Sequence, residues 1–398
     1  MSRGFYEFFA GGGMARAGLG PGWRCLWAND NDRAKCAAYR ANWGGEHLLE
    51  RDVAEVAAAD IPGRADLAWA SFPCQDLSLA GTRRGMGVGG RTRSSVFWAF
   101  WFLIERLAAE GRAPRVIVIE NVVGLASARG SEDFAALCNA LAGAGYRFDA
   151  HVVDAAGFVP QSRPRLFVTA FRGEPPAHLR DAEDARPPAL ARALARLEEA
   201  APARRALALP PPPGRNLQLA DLLSDAGAPP WRGAAAQGAI LALMTPRHRA
   251  RIEAARAEAK ATGRRVAGTL YRRMRPDPAG AGTVQRAEVR FDIAGCLRTP
   301  AGGSSRQTLV CAEPDGRLRM RLLSAREAAR LMGLPDAYRL PDRYTEAYRL
   351  AGDGVAAPVA RWLAARLLEP LLDHMDAGEG AADVSRRAPA VAPGAAPA

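Results

Sequence analysis

The sequence predicts an α/β fold, a mainly parallel sheet clothed by helices, followed by a second, smaller domain. Three observations carry this. Between residues 5 and 172, short apolar runs alternate with stretches of helical periodicity, the pattern that builds a parallel sheet. The first of those runs empties into a glycine turn and then a helix. From 173 the texture changes, with proline pairs at 175–176 and 187–188 and a run at 210–213. A chain of 398 residues, 48% of them hydrophobic, has enough apolar surface for one large core and a lesser one.

The elements follow in order. Strands are expected at 4–9, 24–28, 67–71, 116–120, near 146–153 and at 166–171, where β-branched and aromatic residues gather. Helical spacing marks 32–42, 95–110 and 133–143 between them. Residues 173–235 read as a linker with short helices. A charged helix at 247–262 precedes β-like segments at 266–273 and 284–297. Ser324-x-x-Glu327 spells a capping box for a helix at 324–332, and 358–372 reads as a last amphipathic helix. The Ala/Pro/Gly-rich end from about 376 is expected to be disordered. The expected division is 1–172 with 341–375 as the large domain, 173–340 as the small one, and 376–398 as a tail.

Composition narrows the partners. The net charge of +12 is carried almost wholly by arginine and suits a polyanion. Arginines cluster at 83–93, 163–172 and 247–306. The six cysteines are scattered without a Cys-x-x-Cys pair, and the five histidines are dispersed, so neither a disulfide framework nor a metal site is expected. There is no uncharged apolar run of membrane-spanning length, and the apolar N-terminal segment is too short for a signal peptide. A soluble, cytoplasmic protein is expected.

The strand at 4–9 runs into Ala10-Gly11-Gly12-Gly13-Met14, a turn suited to a nucleotide-type cofactor. Arg16 stands where a dinucleotide fingerprint needs a small residue, so a pyrophosphate site is not expected. Asp30 closes the next strand, where a carboxylate can accept from ribose hydroxyls. Asp52, further on, can accept from an adenine amine.

The second set of residues is reactive. The strand at 67–71 leads into Phe72-Pro73-Cys74-Gln75, and Pro73 turns the chain out of the sheet. That puts Cys74 beyond the carboxyl end of a strand, where open α/β sheets bind ligands. A lone cysteine is more often buried and inert; what distinguishes Cys74 is its company. The strand at 116–120 ends on Glu120-Asn121-Val122, bringing an acid to the same edge. Arg163 and Arg165, two residues apart, share one face of an extended segment before the strand at 166–171. Their guanidinium groups can bind a base carbonyl, a phosphate or a carboxylate. Nucleophile, acid and cationic carbonyl clamp together are the parts that covalent catalysis calls for.

The ordered series resembles the DNA cytosine-5 methyltransferase family. It comprises Phe9 to Gly13, Pro73-Cys74-Gln75, Glu120-Asn121-Val122, Gln161-Ser162-Arg163-Pro164-Arg165, the Gly/Ser-rich stretch from Arg298 to Gln307, Arg326 to Pro335 and Gly352-Asp353-Gly354-Val355. The resemblance covers roughly residues 5–172 and 290–370. It implies a Rossmann-like methyltransferase domain with a smaller target-recognition domain, and S-adenosylmethionine as cofactor. That cofactor would contact Phe9, Ala10, Gly11, Gly13, Asp30, Asp52, Val53, Pro73, Asp353 and Val355. Cys74 would attack C6 of a cytosine flipped out of double-stranded DNA, with Glu120 on N3, Arg165 on O2 and Arg163 supporting the pocket.

The glycine-rich segment 81–95, with Arg83, Arg84, Arg91 and Arg93, is expected to close over DNA. In the small domain Arg272, Arg273, Arg275, Arg298, Ser304, Ser305 and Arg306 are expected to touch its backbone. Met14 and Asp353 depart from the family pattern, which favours Gly and Asn there. A monomer in a bacterial cytoplasm or nucleoid is expected, and a restriction endonuclease encoded alongside is a partner the resemblance allows. The alternatives are a tRNA cytosine-5 methyltransferase and a non-catalytic DNA-binding protein of the same fold.

Overall fold

The computed structural model describes residues 2–73, 95–180, 186–277, 280, 282–298 and 306–387. Seven strands form the first sheet: β1 (Arg3–Phe8), β2 (Trp23–Asp30), β3 (Leu48–Glu50), β4 (Leu67–Ala70), β5 (Val116–Val122), β6 (Arg147–Asp154) and β7 (Pro164–Phe171). Their order is β3-β2-β1-β4-β5-β7-β6. The first five run parallel; β7 lies antiparallel between β5 and β6. All six strands expected in this region form. The seventh, β3, has three residues, too few to show a period.

The central strands are apolar on both faces, as a parallel sheet covered on both sides requires. Every residue of β4 is buried, and so are Val116 to Asn121 of β5. The loops between them carry helices α1 (Met14–Leu19), α2 (Arg33–Trp43), α3 (Ser95–Ala109) and α4 (Glu132–Gly143). Under one face Phe8 meets Phe100 of α3 and Trp27 edge-on, with ring centroids 4.8 and 4.9 Å apart. Arg16 does not crowd the helix–strand contact. It turns onto α2, its guanidinium 5.0 Å from the Trp43 ring.

The chain between 173 and 235 is less of a linker than its prolines suggest. Helix α5 (Pro188–Ala195) buries Leu190, Ala193 and Leu194 in the first sheet's core. Arg204 bridges Phe148 of β6, and Leu207 N donates to buried Asp149 at 2.8 Å. This stretch packs with the large sheet, against the expected boundary at 173, because β6 is an edge strand that needs cover.

Helices α6 (Ala234–Ala242) and α7 (Pro246–Thr262) then cover a second sheet of β8 (Val266–Pro276), β9 (Thr283–Phe291), β10 (Thr308–Ala312) and β11 (Leu318–Leu322). Its order is β11-β10-β8-β9, antiparallel throughout. β9 stops at Phe291, short of the expected 297, because Asp292 adopts a φ of 66° and turns the chain back to the first sheet.

Helices α8 (Ala325–Leu331), α9 (Tyr344–Asp353), α10 (Ala357–Leu363) and α11 (Glu369–Arg387) return to the first sheet. The capping box forms as expected: Glu327 N donates to Ser324 Oγ at 3.1 Å and Ser324 N to Glu327 Oε2 at 2.8 Å. Gly18 of α1 touches α10 so closely that a Cβ would lie 2.4 Å from the Ala357 carbonyl oxygen. Helix α11 continues past 376, where the tail was expected to begin. Leu371 and Leu372 anchor it, Arg115 reaches Asp376 at 2.6 Å, and after Pro370 in its first turn no proline follows before 389. Residues 388–398 lie outside the described ones.

Candidate active site

Strand order reverses between β1 and β4, and a cleft of about 810 Å³ opens at the carboxyl edge there. On its first wall Phe9 takes a φ of 56°, a left-handed conformation costing a non-glycine residue about 1–2 kcal/mol. Gly11, at a φ of 56°, donates its N–H to Asp30 Oδ2 at 2.8 Å, and Asp32 N donates to Asp30 Oδ1 at 2.8 Å. Asp30 thus fixes the glycine turn while lining the cleft. The Gly12 carbonyl is pinned from below by Trp43 Nε1 at 3.0 Å and Tyr338 Oη at 2.6 Å.

Asp52 caps the turn at Val53–Glu55 through Ala54 N at 3.0 Å, and Asp52, Val53 and Pro73 line the cleft. Ala10, Asp353 and Val355 line it too. Gly13 does not. Its φ is 77° and a Cβ there would meet Trp43 Nε1 at 2.4 Å, so it serves the packing of the turn on α2. Gly12 and Met14 take its place on the wall.

On the second wall Glu120 is buried at the end of β5, with Arg165 Nε 3.2 Å from its Oε1. The pairing of β5 with β7 brings them together, since Val122 faces Arg165 in the register. Asn121 Nδ2 donates to the Phe72 carbonyl at 3.2 Å, tying β5 to the stem that leads to Pro73. Cys74 itself, with Arg83, Arg84, Arg91 and Arg93, lies outside the described residues.

Arg163 is a bolt rather than a hand held out to a ligand. It is 2% exposed. Its Nη1 donates to Leu297 O at 3.1 Å, and its Nη2 to Gly352 O at 2.9 Å and Gly354 O at 2.6 Å. Burial and the neighbouring Arg165 pull it down to about 10, still protonated at neutral pH. Gln161 works beside it, accepting from Leu297 N at 3.1 Å and donating to Leu331 O at 2.8 Å. The two residues join the start of β7 to the returns from the second sheet.

The sequence reading missed Glu7, Asn29 and Lys35. Glu7 lines the cleft from β1 and is 1% exposed. Burial pushes its carboxyl up to about 8, and its Oε2 is buried without a hydrogen-bond partner. An acidic residue inside an otherwise apolar strand was the available signal. Asn29 ties β2 to the far edge through Leu49 O at 3.0 Å and Arg51 O at 2.8 Å.

A second cleft of about 340 Å³ lies between the sheets. Arg273 and Arg298 line it, joined by His248, Arg251 and Arg290, which the sequence reading did not select. Beyond Tyr271 the β8–β9 ribbon projects, with Arg272 to Pro276 all exposed. Arg275 forks onto Glu288 of β9 at 2.6 and 2.8 Å. Arg272 is not on this cleft. Arg306 sits apart, bonded to Thr345 Oγ1 at 2.9 Å. Ser304 and Ser305 lie outside the described residues.

A glycine turn after the first strand, an acid closing the second and an inserted antiparallel β7 define the Rossmann-like methyltransferase class. A family model described as C-5 cytosine-specific DNA methylase matches residues 4–369. The chain is 27% identical over 365 residues to the Type II methyltransferase M.NlaX of Neisseria lactamica, covering 91% of this chain and 95% of that protein. It is 25% identical over 366 residues to the Type II methyltransferase M.HhaI of Haemophilus parahaemolyticus, covering 90% and 92%. Among solved structures, an S. pombe Dnmt2 methyltransferase shares the fold, with a TM-score of 0.56 and 17% identity, over 93% of this chain and 99% of that one. The chain belongs to the C-5 cytosine-specific DNA methylase family, and it is a DNA (cytosine-5-)-methyltransferase. No helix among the described residues is long and apolar enough to cross a membrane.

Proposed function

We propose that this methyltransferase takes its methyl group from S-adenosylmethionine and passes it to a cytosine flipped out of a specific duplex site, through a bond from Cys74 to C6. The cleft suits that cofactor. At Gly11 a Cβ would meet nothing nearer than Lys35 Cδ at 3.9 Å, so the turn is open to a ligand. Asp30 and Asp52 offer acceptors for ribose and adenine, and the unpartnered Glu7 Oε2 awaits a polar group. When bound, the cofactor supplies an electrophilic methyl on a sulfonium.

The chain's own residues prepare the base. The Cys74 thiolate adds to C6 while Glu120 delivers a proton to N3, which gathers the electron pair at C5. Arg165, paired with Glu120 on the cleft wall, holds O2. Arg163 acts through the backbone it bolts together. Loss of the C5 proton after transfer expels Cys74 as thiolate, and return of the N3 proton to Glu120 restores the neutral ring.

Flipping the base costs a few kcal/mol, offset by backbone contacts. We assign those to segment 81–95 with Arg83, Arg84, Arg91 and Arg93, and to the inter-sheet cleft with Arg273 and Arg298. The projecting β8–β9 ribbon has the width a major groove admits. The reaction belongs in the bacterial cytoplasm or nucleoid, with a monomer as the working unit.

The observation that carries this reading is the Glu120–Arg165 pair at the mouth of the stem leading to Cys74. Bisulfite sequencing of DNA from cells expressing the wild type, Cys74→Ala and Glu120→Gln tests it. Methylcytosine at one recurring site is expected only with the wild type. Undiminished methylation by Cys74→Ala, or labelling of tRNA and not of duplex DNA, overturns it.

A further inference from the structure

Asp353, which the family pattern would make an asparagine, does not face the cleft alone. Its Oδ2 lies 2.8 Å from Lys35 Nζ, and Arg349 Nε approaches to 3.6 Å. Arg349 also reaches Asp32 at 3.3 Å. Lys35 rides the first turn of α2, with its stem alongside Gly11. Both members of the Lys35–Asp353 pair line the cleft, with side chains 18% and 26% exposed. Of 54 Lys and Arg residues only two are lysines, at 35 and 260, and one of them is here.

Stability alone is a poor reason for such a pair, since partly exposed ion pairs contribute little. Ligand chemistry is a better one. The cofactor's sulfonium carries three arms. The adenosyl arm is drawn to Asp30, Asp52 and Val53, and the methyl must face Glu120 and Arg165. The third arm, an aminobutyrate, is left the end of the cleft between Gly11–Gly12 and Gly352–Val355. That arm is a zwitterion. An asparagine would offer it both a donor and an acceptor, whereas an aspartate alone offers only acceptors and repels its carboxylate.

We propose that Lys35 and Asp353 form one zwitterion cradle, Lys35 Nζ donating to the carboxylate of the cofactor's amino-acid end and Asp353 accepting from its ammonium. The inference rests on the cofactor reading above and names the residues that hold this arm. Lys35 restores the donor that aspartate lacks, and its compact ammonium on a flexible stem can pivot from Asp353 to the ligand.

Calorimetric titration of the full chain separates the arms. S-adenosylhomocysteine carries the zwitterion; 5′-methylthioadenosine lacks it. Lys35→Met is expected to weaken S-adenosylhomocysteine binding about tenfold or more, the loss of a charge-assisted hydrogen bond, and to leave 5′-methylthioadenosine within about twofold. Lys35→Arg, which keeps the charge, should retain most of the affinity. Equal weakening of both ligands by Lys35→Met, or of neither, overturns the cradle while leaving the cofactor reading standing. Failure of the wild type to bind S-adenosylhomocysteine overturns that reading and the cradle with it.

Discussion

Glu7 offers a perturbation with a calculable sign. Its carboxyl is fully buried, desolvation is the largest cause of its shift, and the result is a rise from 4.5 to about 8. A carboxyl raised in the folded state binds its proton more tightly than in the unfolded chain. Its contribution to stability is therefore complete below pH about 4.5 and is lost as pH rises through about 8. Each pH unit between those limits is worth about 1.4 kcal/mol, so the total reaches a few kcal/mol. Glu7→Gln removes the titration, keeps the shape and can still accept from Arg16 N, as Glu7 Oε1 does at 3.2 Å. Thermal or urea unfolding of both proteins from pH 5 to 9 measures the difference. The variant should gain steadily on the wild type with rising pH, by about 3–4 kcal/mol between pH 5 and pH 8. Parallel stability profiles would refute the reasoning, since they would mean that Glu7 titrates alike in both states.

Three further outcomes follow from the same geometry. Arg163→Lys loses the fork spanning Leu297 O and the Gly352 and Gly354 carbonyls, and urea unfolding should show a loss of about 2–4 kcal/mol together with weaker cofactor binding. Glu327 and Arg321, both 0% exposed, pair at 2.6 and 2.8 Å, so Glu327→Ala should cost about 3–5 kcal/mol by stranding the guanidinium. Replacing both with leucine-sized apolar residues should cost far less, and a double loss equal to the sum of the two single losses would show that the pair is not coupled. Arg273→Ala should weaken DNA binding across sequences and lower the salt slope by about 1, the signature of one lost phosphate contact; a change confined to one base position would make it a base reader instead.

The alternation of apolar runs and helices was enough to foretell the first sheet, because strands buried on both faces must be apolar throughout. β4 and β5 carry that signal in nearly every residue. The second sheet was half legible. β8 and β9 are long, whereas β10 and β11 have five residues each, too few to show a period, and the hairpin they form joins the sheet only through β8, about forty residues back. The candidate chemistry was legible for a different reason. Glu120 and the arginines beside β7 sit next to strand ends in the sequence, so their edge of the sheet could be inferred before any fold was known.

The sequence by itself determined the family, and it singled out the residues proposed to react and to hold the cofactor, since these depend on residue type and order. Only the tertiary structure decided how the work is divided among them. Arg163 and Arg165 look equivalent two residues apart, yet one is sealed among backbone carbonyls from α9 and the return from β9, and the other lies against Glu120. Gly13 looks like a cofactor glycine but yields its space to Trp43. Glu7, Lys35 and Asp353 acquire their roles from burial and from partners up to 318 residues away in the chain, as Lys35 and Asp353 are. Desolvation and pairing are properties of the folded neighbourhood, and residue order alone does not encode them in any local pattern.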